Sequence, residues 1–494
     1  MSSMDVDQHI DIRPPTPNPA PNESLAKTDE RPLLMVTIDD AHPFDLETYV
    51  SGYSDRAAII RLLYILECCP SLARPAFDAA VQRIKTGRDV SFYNNAVNLY
   101  NQTLPDGADR EEVDAQWVES TQASNMHERN KLEVELKTYQ SNMIKESIRM
   151  AHRDLGNFYK AAGDEGLALK HYSRSREFCS SSQHVLEMCL SILELVIEQR
   201  NYGHITTYVF KAEAALDSIR TSDPSSPGGQ SEKLVHKKAR PSAERERVQS
   251  KLDVANALAY LGAGQYEKAA TTFLKLGHPK NLEDWIGKTI TPSDIAVYGT
   301  LCALATLSRG AITAQVIQND VFAVYLEQEP YVRDLVSAYM GSKFKTVLDL
   351  LERYSSRHYL DIHLGPHLNE LTNLIRDRAL ILYFQPFANV RLQKMATAFG
   401  MELNDIENTL VILIRRGAIK GRIDKRNKIL KTNVVNQRDA LFARAAHAAK
   451  EIQARNRLLL LRMRLQQADL IVKAPKIQNT AANSSINDAP VDFS

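Results

Sequence analysis

The sequence predicts an all-α protein: a tetratricopeptide-like helical solenoid arm, a helical bundle leading into a winged helix, and a long C-terminal helix. Three observations carry this expectation. Apolar residues recur at helical spacing through most of the 494 residues. Two stretches repeat the alternation of small and large residues found in tetratricopeptide helix pairs. The stretch from Arg376 to Thr432 reads as three helices followed by a basic hairpin, the outline of a winged helix.

The bulk properties bound the function. A chain of 494 residues exceeds one core, so two or three units are expected. Its 61 Lys+Arg balance 60 Asp+Glu, so no global field favours nucleic acid or a membrane surface. The cysteines, Cys68, Cys69, Cys179, Cys189 and Cys302, form no CxxC pair, which fits buried thiols in a reducing compartment. The polar, proline-rich N-terminal stretch is unlike a signal peptide. No apolar run reaches the roughly 18 residues that a membrane span needs. The expectation is an intracellular protein of the nucleus and cytoplasm, with no membrane contact and no cofactor.

Residues 1–32 hold Pro14, Pro15, Pro17, Pro19 and Pro21 among polar residues and are expected to be disordered. Leu33 to Ile38 is a short apolar run, a strand or an extended segment. Three helices are expected between Asp45 and Leu104. Asp55 is read as the cap of Arg56–Glu67, with Leu72–Ile84 and Ser91–Leu99 next, punctuated by Pro70, Gly87 and Pro105. A long helical pattern from Arg110 to Ala162 is expected to break once, near Gln122–Asn125.

The repeat comes next. Leu155-Gly156, Tyr159, Gly163, Ala168 and Tyr172 match tetratricopeptide spacing, in which small residues let two antiparallel helices approach and aromatics fill the gap. Ala257, Tyr260, Gly264, Ala269 and Phe273 repeat it, and Asn201-Tyr202 to Phe210 is a degenerate copy. The helical-repeat arm is placed at 45–285. Residues 221–243 interrupt it with a Ser/Pro/Gly-rich and then basic insertion (Lys233, Lys237, Lys238, Arg240), expected to be disordered. That basic cluster is read as a solvated loop or a nuclear address.

A bundle is placed at 291–375. Its stretch Ile295–Thr306 is small or aliphatic on nearly every side, so this helix is expected at the bundle centre, with Pro292 in its first turn. The winged helix, 376–432, has helices at Arg376–Phe384, Leu392–Phe399 and about Asn404–Arg416. Gly400 and Gly417 follow the last two. Its hairpin runs from Ala418 to Lys431. A helix at 437–472 carries Leu441, Ala445, Ala448, Ile452, Leu459 and Met463 near 3.5-residue spacing. At 1.5 Å per residue it spans about 50 Å, too long to fold back on a small domain. Residues 475–494 are expected to be disordered.

Catalytic patterns are weak. Gly287-Lys288-Thr289 resembles the end of a phosphate loop, but position 282 is Leu where the loop needs Gly. His363 and His367 are four apart beside Asp361 and Glu370, yet Pro366 interrupts the helix that would face both toward a zinc ion. No His-x-His pair and no Gly-x-Ser-x-Gly is present. No catalytic and no metal-binding residue is assigned. The hairpin region carries Arg415, Arg416, Lys420, Arg422, Lys425, Arg426, Lys428 and Lys431 against Asp424. Such a cluster suits phosphate or an acidic partner. A winged helix that reads DNA inserts its third helix into the major groove. Here that helix opens on Glu402, Asp405 and Glu407, which speaks against nucleic acid.

Specific stretches point to a family. They are Asn142–Arg149, Asp154–Gly156, Ala168–Ser173, Ala296–Thr306, Pro330–Asp334 and Ile375–Ala379. Together with a tetratricopeptide-like arm before a winged helix, these resemble the PCI family of scaffold subunits. That family serves the proteasome lid, the COP-nine signalosome and the translation initiation factor three complex. The stretches are most similar to its signalosome branch, over roughly 45–470. The resemblance implies a PCI domain over 291–432 and a non-catalytic scaffold within the complex that removes the ubiquitin-like modifier Nedd from cullin-RING ubiquitin ligases. The implied partners are other PCI subunits, an MPN-type metalloisopeptidase subunit and, through the whole complex, cullin-RING ligases.

These expectations select residues. Ile419, Ile423, Ile429 and Leu430 are read as a winged-helix edge for strand addition between subunits. Leu441, Ile452, Leu459 and Met463 are read as the bundle face of the C-terminal helix. Lys420, Arg422, Lys425, Arg426 and Lys428 are candidate contacts to an acidic partner. The runner-up readings are a scaffold of the proteasome-lid type and a nucleic-acid-associated protein using the basic wing.

Overall fold

The computed structural model describes residues 38–39, 42–104, 110–221, 243–433 and 437–470. The tails expected at 1–32 and 475–494, the interior of the 221–243 insertion, the apolar run at Leu33 apart from Ile38, and the last two residues of the helix expected to 472 lie outside the described residues. Those that are described form helices almost throughout, with one small sheet.

The helices α1 (Leu46–Ser51), α2 (Asp55–Cys68), α3 (Ala73–Thr86) and α4 (Val90–Thr103) come first. The next seven are α5 (Ala115–Ser141), α6 (Lys145–Ala162), α7 (Glu165–Ser175), α8 (Ser182–Glu198), α9 (Tyr202–Thr221), α10 (Ala243–Gly262) and α11 (Tyr266–Leu274). Then follow α12 (Pro292–Thr306), α13 (Arg309–Ile312), α14 (Asp320–Leu326), α15 (Pro330–Met340), α16 (Phe344–Arg353), α17 (Ser355–Tyr359) and α18 (Leu368–Phe384).

Two local expectations need correction. Asp55 does not cap α2: it is the first helical residue, Ser54 holds the cap position, and α1, which the sequence pattern did not reveal, is capped by Asp45 accepting the Glu47 N–H at 3.1 Å. The long pattern from Arg110 is not broken at Gln122–Asn125, because α5 runs through it. The break comes at Met143, whose φ of 54° is left-handed, and the Ile144 N–H reaches back to the Tyr139 carbonyl. That closure is a Schellman turn, in which Gly is the usual residue.

The repeat spacing has a steric cause. A Cβ on Gly156 would lie 2.5 Å from the Tyr172 ring, so only glycine lets α6 and α7 close over that ring. The Tyr172 hydroxyl donates to Asn157 Oδ1 at 2.7 Å. The degenerate copy uses the same device with the roles exchanged, because Tyr202 of α9 lies against Gly262 of α10.

The helix α12 is buried from Asp294 to Ala305, and α11, α14, α15 and α18 pack around it. A reciprocal capping box between Thr291 and Asp294, with Pro292 in the first turn, sets its start. The first helices fold onto this start. Tyr53 Oη donates to Asp294 Oδ2 at 2.5 Å, Arg61 donates to the Thr289 carbonyl at 3.2 Å, and the Ser54 N–H donates to the Gly287 carbonyl at 2.9 Å. The start of the arm expected at 45–285 therefore packs against the start of the expected bundle, joining residues 241 positions apart. Burial and the nearby Asp361 charge raise the Asp294 pKa.

A second polar junction forms at Asp361. Its Oδ1 accepts from Tyr298 Oη at 2.6 Å and from the His363 and Leu364 N–H groups at 2.9 Å. His363 Nδ1 meets the Tyr202 hydroxyl at 2.8 Å. Burial, with Arg61 adding to it, pushes the His363 pKa down to about 3. The folded state thus takes up fewer protons at this ring than the unfolded chain. Its contribution is complete above the unfolded pKa near 6.5 and is lost as pH falls toward the folded value. Between pH 7 and pH 5 the His363→Gln variant should lose about 2 kcal/mol less unfolding free energy than the parent chain. Urea unfolding at the two pH values measures this, and equal losses in both proteins would overturn it.

By compactness the chain forms two units. The first comprises 1–386 and 393–409, so the expected arm and bundle share it; the second comprises 387–392 and 410–494. The region expected as one winged helix is divided between them.

Candidate assembly surfaces

The second unit holds a three-stranded antiparallel sheet of β1 (Asn389–Arg391), β2 (Gly421–Asp424) and β3 (Ile429–Thr432), in the order β1-β3-β2. The helices α19 (Leu392–Phe399) and α20 (Leu403–Arg415) lie between β1 and β2 in the chain. The sheet arises because Ile419, Ile423, Ile429 and Leu430 flank a polar turn. Asp424 shapes that turn by accepting the Asn427 N–H at 3.3 Å, and Lys428 adopts a φ of 51°. The strand β1 is too short for a sequence pattern to reveal; its one signal is a buried Val390 between exposed neighbours.

The hairpin was read as an edge, and β1 changes that. Ile429 and Leu430 sit on the central strand, paired on both sides, and are unavailable for strand addition. Ile419 and Leu430 are buried. Of the four residues, only Ile423 lies on an open edge, that of β2. Asn433 N–H donates to the Lys420 carbonyl at 2.8 Å. Antiparallel ladders alternate bonded and non-bonded pairs. The N–H and C=O groups of Gly421 and Ile423 therefore point away from β3, and by the same alternation those of Asn389 and Arg391 point out from β1.

Lys420, Arg422, Lys425, Arg426 and Lys428 are all exposed. Lys425, Arg426 and Lys428 share the hairpin turn, whereas Lys420 and Arg422 lie at and beside β2. Asp424 ion-pairs with Lys431 at 3.3 Å, and the bonds from Asn427 and Lys431 hold its carboxyl below the usual range.

The last described helix, α21 (Gln437–Gln467), runs for 31 residues. From Leu441 to Gln467 every residue is exposed. Leu441, Ile452, Leu459 and Met463 are each more than half exposed, and so are Phe442, Leu458, Leu460 and Leu461, which the heptad reading passed over. Single exposed apolar residues are ordinary, but a long row of them marks an interaction surface.

The catalytic look-alikes have structural roles. His367 Nδ1 meets the Tyr266 hydroxyl at 3.2 Å, as His363 meets Tyr202, so each imidazole faces a tyrosine. Gly287 forms a turn whose N–H bonds the Ile290 carbonyl and whose C=O receives Ser54. Burial pushes the thiol pKa values of Cys68 and Cys189 up to about 11 and that of Cys302 to about 12, away from the reactive thiolate form.

Comparison with known proteins places these surfaces in context. The family model described as PCI domain matches residues 351–433, and that described as 26S proteasome subunit RPN7 matches residues 114–315. The chain is 32% identical to COP9 signalosome complex subunit 1b of Drosophila melanogaster, over 94% of its own length and 91% of the relative's. It is 34% identical to COP9 signalosome complex subunit 1 of Arabidopsis thaliana, over 89% and 92% of the two lengths. Similarity to the 26S proteasome non-ATPase regulatory subunit 6 homolog of Arabidopsis thaliana is lower, at 19% over 67% of this chain and 78% of that one.

Proposed function

Because the chain belongs to the COP9 signalosome subunit 1 family of PCI-domain proteins, we propose that it is a non-catalytic scaffold subunit of a signalosome. Its work there is to hold together the assembly that removes a ubiquitin-like modifier from cullin-RING ligases. The observation that carries this reading is α21, whose apolar residues are exposed from end to end. Burying one such side chain contributes about 1.5–3 kcal/mol, so a helix of this kind gains stability from neighbouring helices. The partners are other PCI subunits and a metalloisopeptidase subunit that supplies the chemistry. The chain is assigned to the nucleus and cytoplasm. Native mass spectrometry of the assembly that co-purifies with the tagged chain tests this. One stoichiometric complex containing PCI and metalloisopeptidase subunits is expected, and a free monomer would defeat the reading.

The open edge of β2 is the second contact. Ile423→Pro removes an outward N–H that takes no part in the ladder, and proline is tolerated on edge strands. The variant is expected to fold and to lose at least one neighbouring subunit on co-purification. A full complement of subunits would show that β2 is not used.

The exposed cations at the hairpin turn favour one further reading, a contact to an acidic partner or phosphate. Replacing Lys425 and Arg426 with Gln should then reduce a salt-dependent interaction without dissolving the complex. Binding of RNA or DNA by the parent chain at low salt, lost in this variant, would shift the assignment to nucleic acid.

A further inference from the structure

The degenerate repeat leaves one aromatic without a packing role. Its turn is at Arg200, whose φ of 57° is left-handed like that of Gly163 (90°) before α7 and Gly264 (71°) before α11. Tyr172, Val209 and Phe273 each stand nine positions after their turn, and all three are buried. Phe210 comes one position later and is 72% exposed. Among the described residues of the first unit it is the only phenylalanine that stands out in solvent.

Phe210 walls a groove of about 320 Å³ between α8 and α9, at the small end of the roughly 300–1,000 Å³ typical of ligand clefts. From α8 it is lined by Ser182, Val185 and Cys189, at i, i+3 and i+7. From α9 it is lined by Phe210, Ala214 and Ser218, at i, i+4 and i+8. Each helix thus offers one stripe of about two turns, roughly 12 Å long. The floor is apolar, because Met188, Cys189 and Ala215 are buried beneath it. Ser218 Oγ lies 2.8 Å from Ser182 Oγ and ties the two helices at one end.

The lining carries two cations and no carboxylate. Arg176 is exposed and Lys211 half-buried, and neither forms an ion pair among the described residues. Burial raises the Cys189 thiol pKa, and the fields of Lys211 and Arg176 act against it, so both cations reach one floor residue. The carboxylates of the two helices are turned to other partners. Glu187 pairs with Arg149 at 3.7 Å, Glu194 and Glu198 pair with Lys160, and Asp217 pairs with Arg245 of α10 at 3.5 Å. Burial raises the Glu213 pKa, and the charge of Asp253 on α10 adds to it.

This combination selects an occupant. The helices α8 and α9 spend their backbone hydrogen bonds internally, so no strand can add here and a ligand is held by side chains. Two cations release too few counterions to hold a nucleic acid. An amphipathic helix presents apolar side chains at the spacing of the groove, and carboxylates on its flank complement Arg176 and Lys211. We propose that the α8–α9 groove docks an acidic amphipathic helix of a partner protein, with a large apolar side chain against Phe210 and carboxylates at Arg176 and Lys211. The groove belongs to the first unit, whereas α21 and β2 belong to the second, so this surface is additional to those proposed for assembly.

A display selection on the full chain tests this. The probe is a library of random peptides of about 18 residues, roughly five helical turns. The target is the immobilised parent chain, and the counter-target is the chain carrying Phe210→Asp and Lys211→Glu. Peptides enriched on the parent should be rich in Asp and Glu and carry Leu, Phe or Met at helical spacing. A fluorescein-labelled winner, followed by anisotropy, should bind more weakly as salt rises and gain helical circular dichroism on binding. Lys211→Glu should weaken it about tenfold. Exchanging the facing glutamates of the winner for lysine should restore binding to that variant and lower it on the parent. Ala214→Trp, which fills the groove from an exposed position, should abolish binding, with thermal melting confirming the fold of each receptor. No peptide enriched on the parent over the counter-target, winners that are neutral or basic, winners that bind without becoming helical, or binding indifferent to Ala214→Trp would each overturn the proposal.

Discussion

Replacing Arg56 with Met should cost the first unit about 3–5 kcal/mol of stability, the range for removing one partner of a buried ionic cluster. The guanidinium of Arg56 is shared by four helices and the turn before a fifth. It pairs with Asp89 at 2.7 Å, with Glu165 at 2.6 Å and with Glu198 at 3.1 Å, and it donates to the Lys160 carbonyl at 2.8 Å in the last turn of α6. It also covers the Phe92 ring at 4.4 Å. Asp89 caps α4 by accepting the Phe92 N–H, and Lys160 holds the other oxygen of Glu198 at 2.8 Å. Met fills similar space, so the loss is mainly electrostatic: Asp89 and Glu198 lose the cation that pairs them in a largely buried site. The first helices would then part from the repeat helices. The pH dependence separates this cause from poor packing. Burial already raises the Glu198 pKa even with Lys160 and Arg56 beside it. Without Arg56 it rises further, and a raised carboxyl pKa favours the folded state as pH falls through that value. The deficit of Arg56→Met should therefore shrink between pH 7 and pH 5. Urea unfolding at both pH values measures it, and a deficit below 1 kcal/mol or one independent of pH would count against this account.

Ending the chain after Asn436 should have the opposite profile. From Leu441 to Gln467, α21 has no buried residue, so its removal should leave the unfolding free energy of the rest within about 0.5 kcal/mol, as for most surface changes. Association should fail, because about eight large apolar side chains at about 1.5–3 kcal/mol each would otherwise be covered by partners. Gel filtration and co-purification from cells read the outcome. A truncated chain that still joined the complex in full stoichiometry would remove α21 as the assembly element. One that unfolded would show that the helix serves the monomer instead. The two variants together separate what holds this chain to itself from what holds it to others.

Much of this organisation was legible before any coordinates. Helical periodicity located α2, α3, α4, α12, α19 and α20 within a few residues, because a buried stripe repeats wherever a helix packs. The spacing of Gly156 and Tyr172 was readable because a ring and a missing side chain must meet across adjacent helices. The exposed face of α21 was readable in outline from its heptads. Where local signals misled, a partner distant in sequence was the reason. Asp55 looked like a cap, but the turn before it is fixed by Gly287. The hairpin looked like an edge, but β1, three residues long and about forty positions before β3, covers β3.

The sequence by itself determined the class of fold and the long last helix with its apolar residues, because periodicity and residue size act over a few turns of chain. Only the tertiary structure decided that the first helices return to clasp the start of α12, that Arg56 joins the carboxylates of α7 and α8 to the cap of α4, and that β2 rather than β3 is the open edge. The physical reason is the same in each case. A buried ion pair, a strand pairing or a cavity wall depends on which distant residues share a place, and residues 33, 109 and 142 positions from Arg56 leave no periodic mark near it.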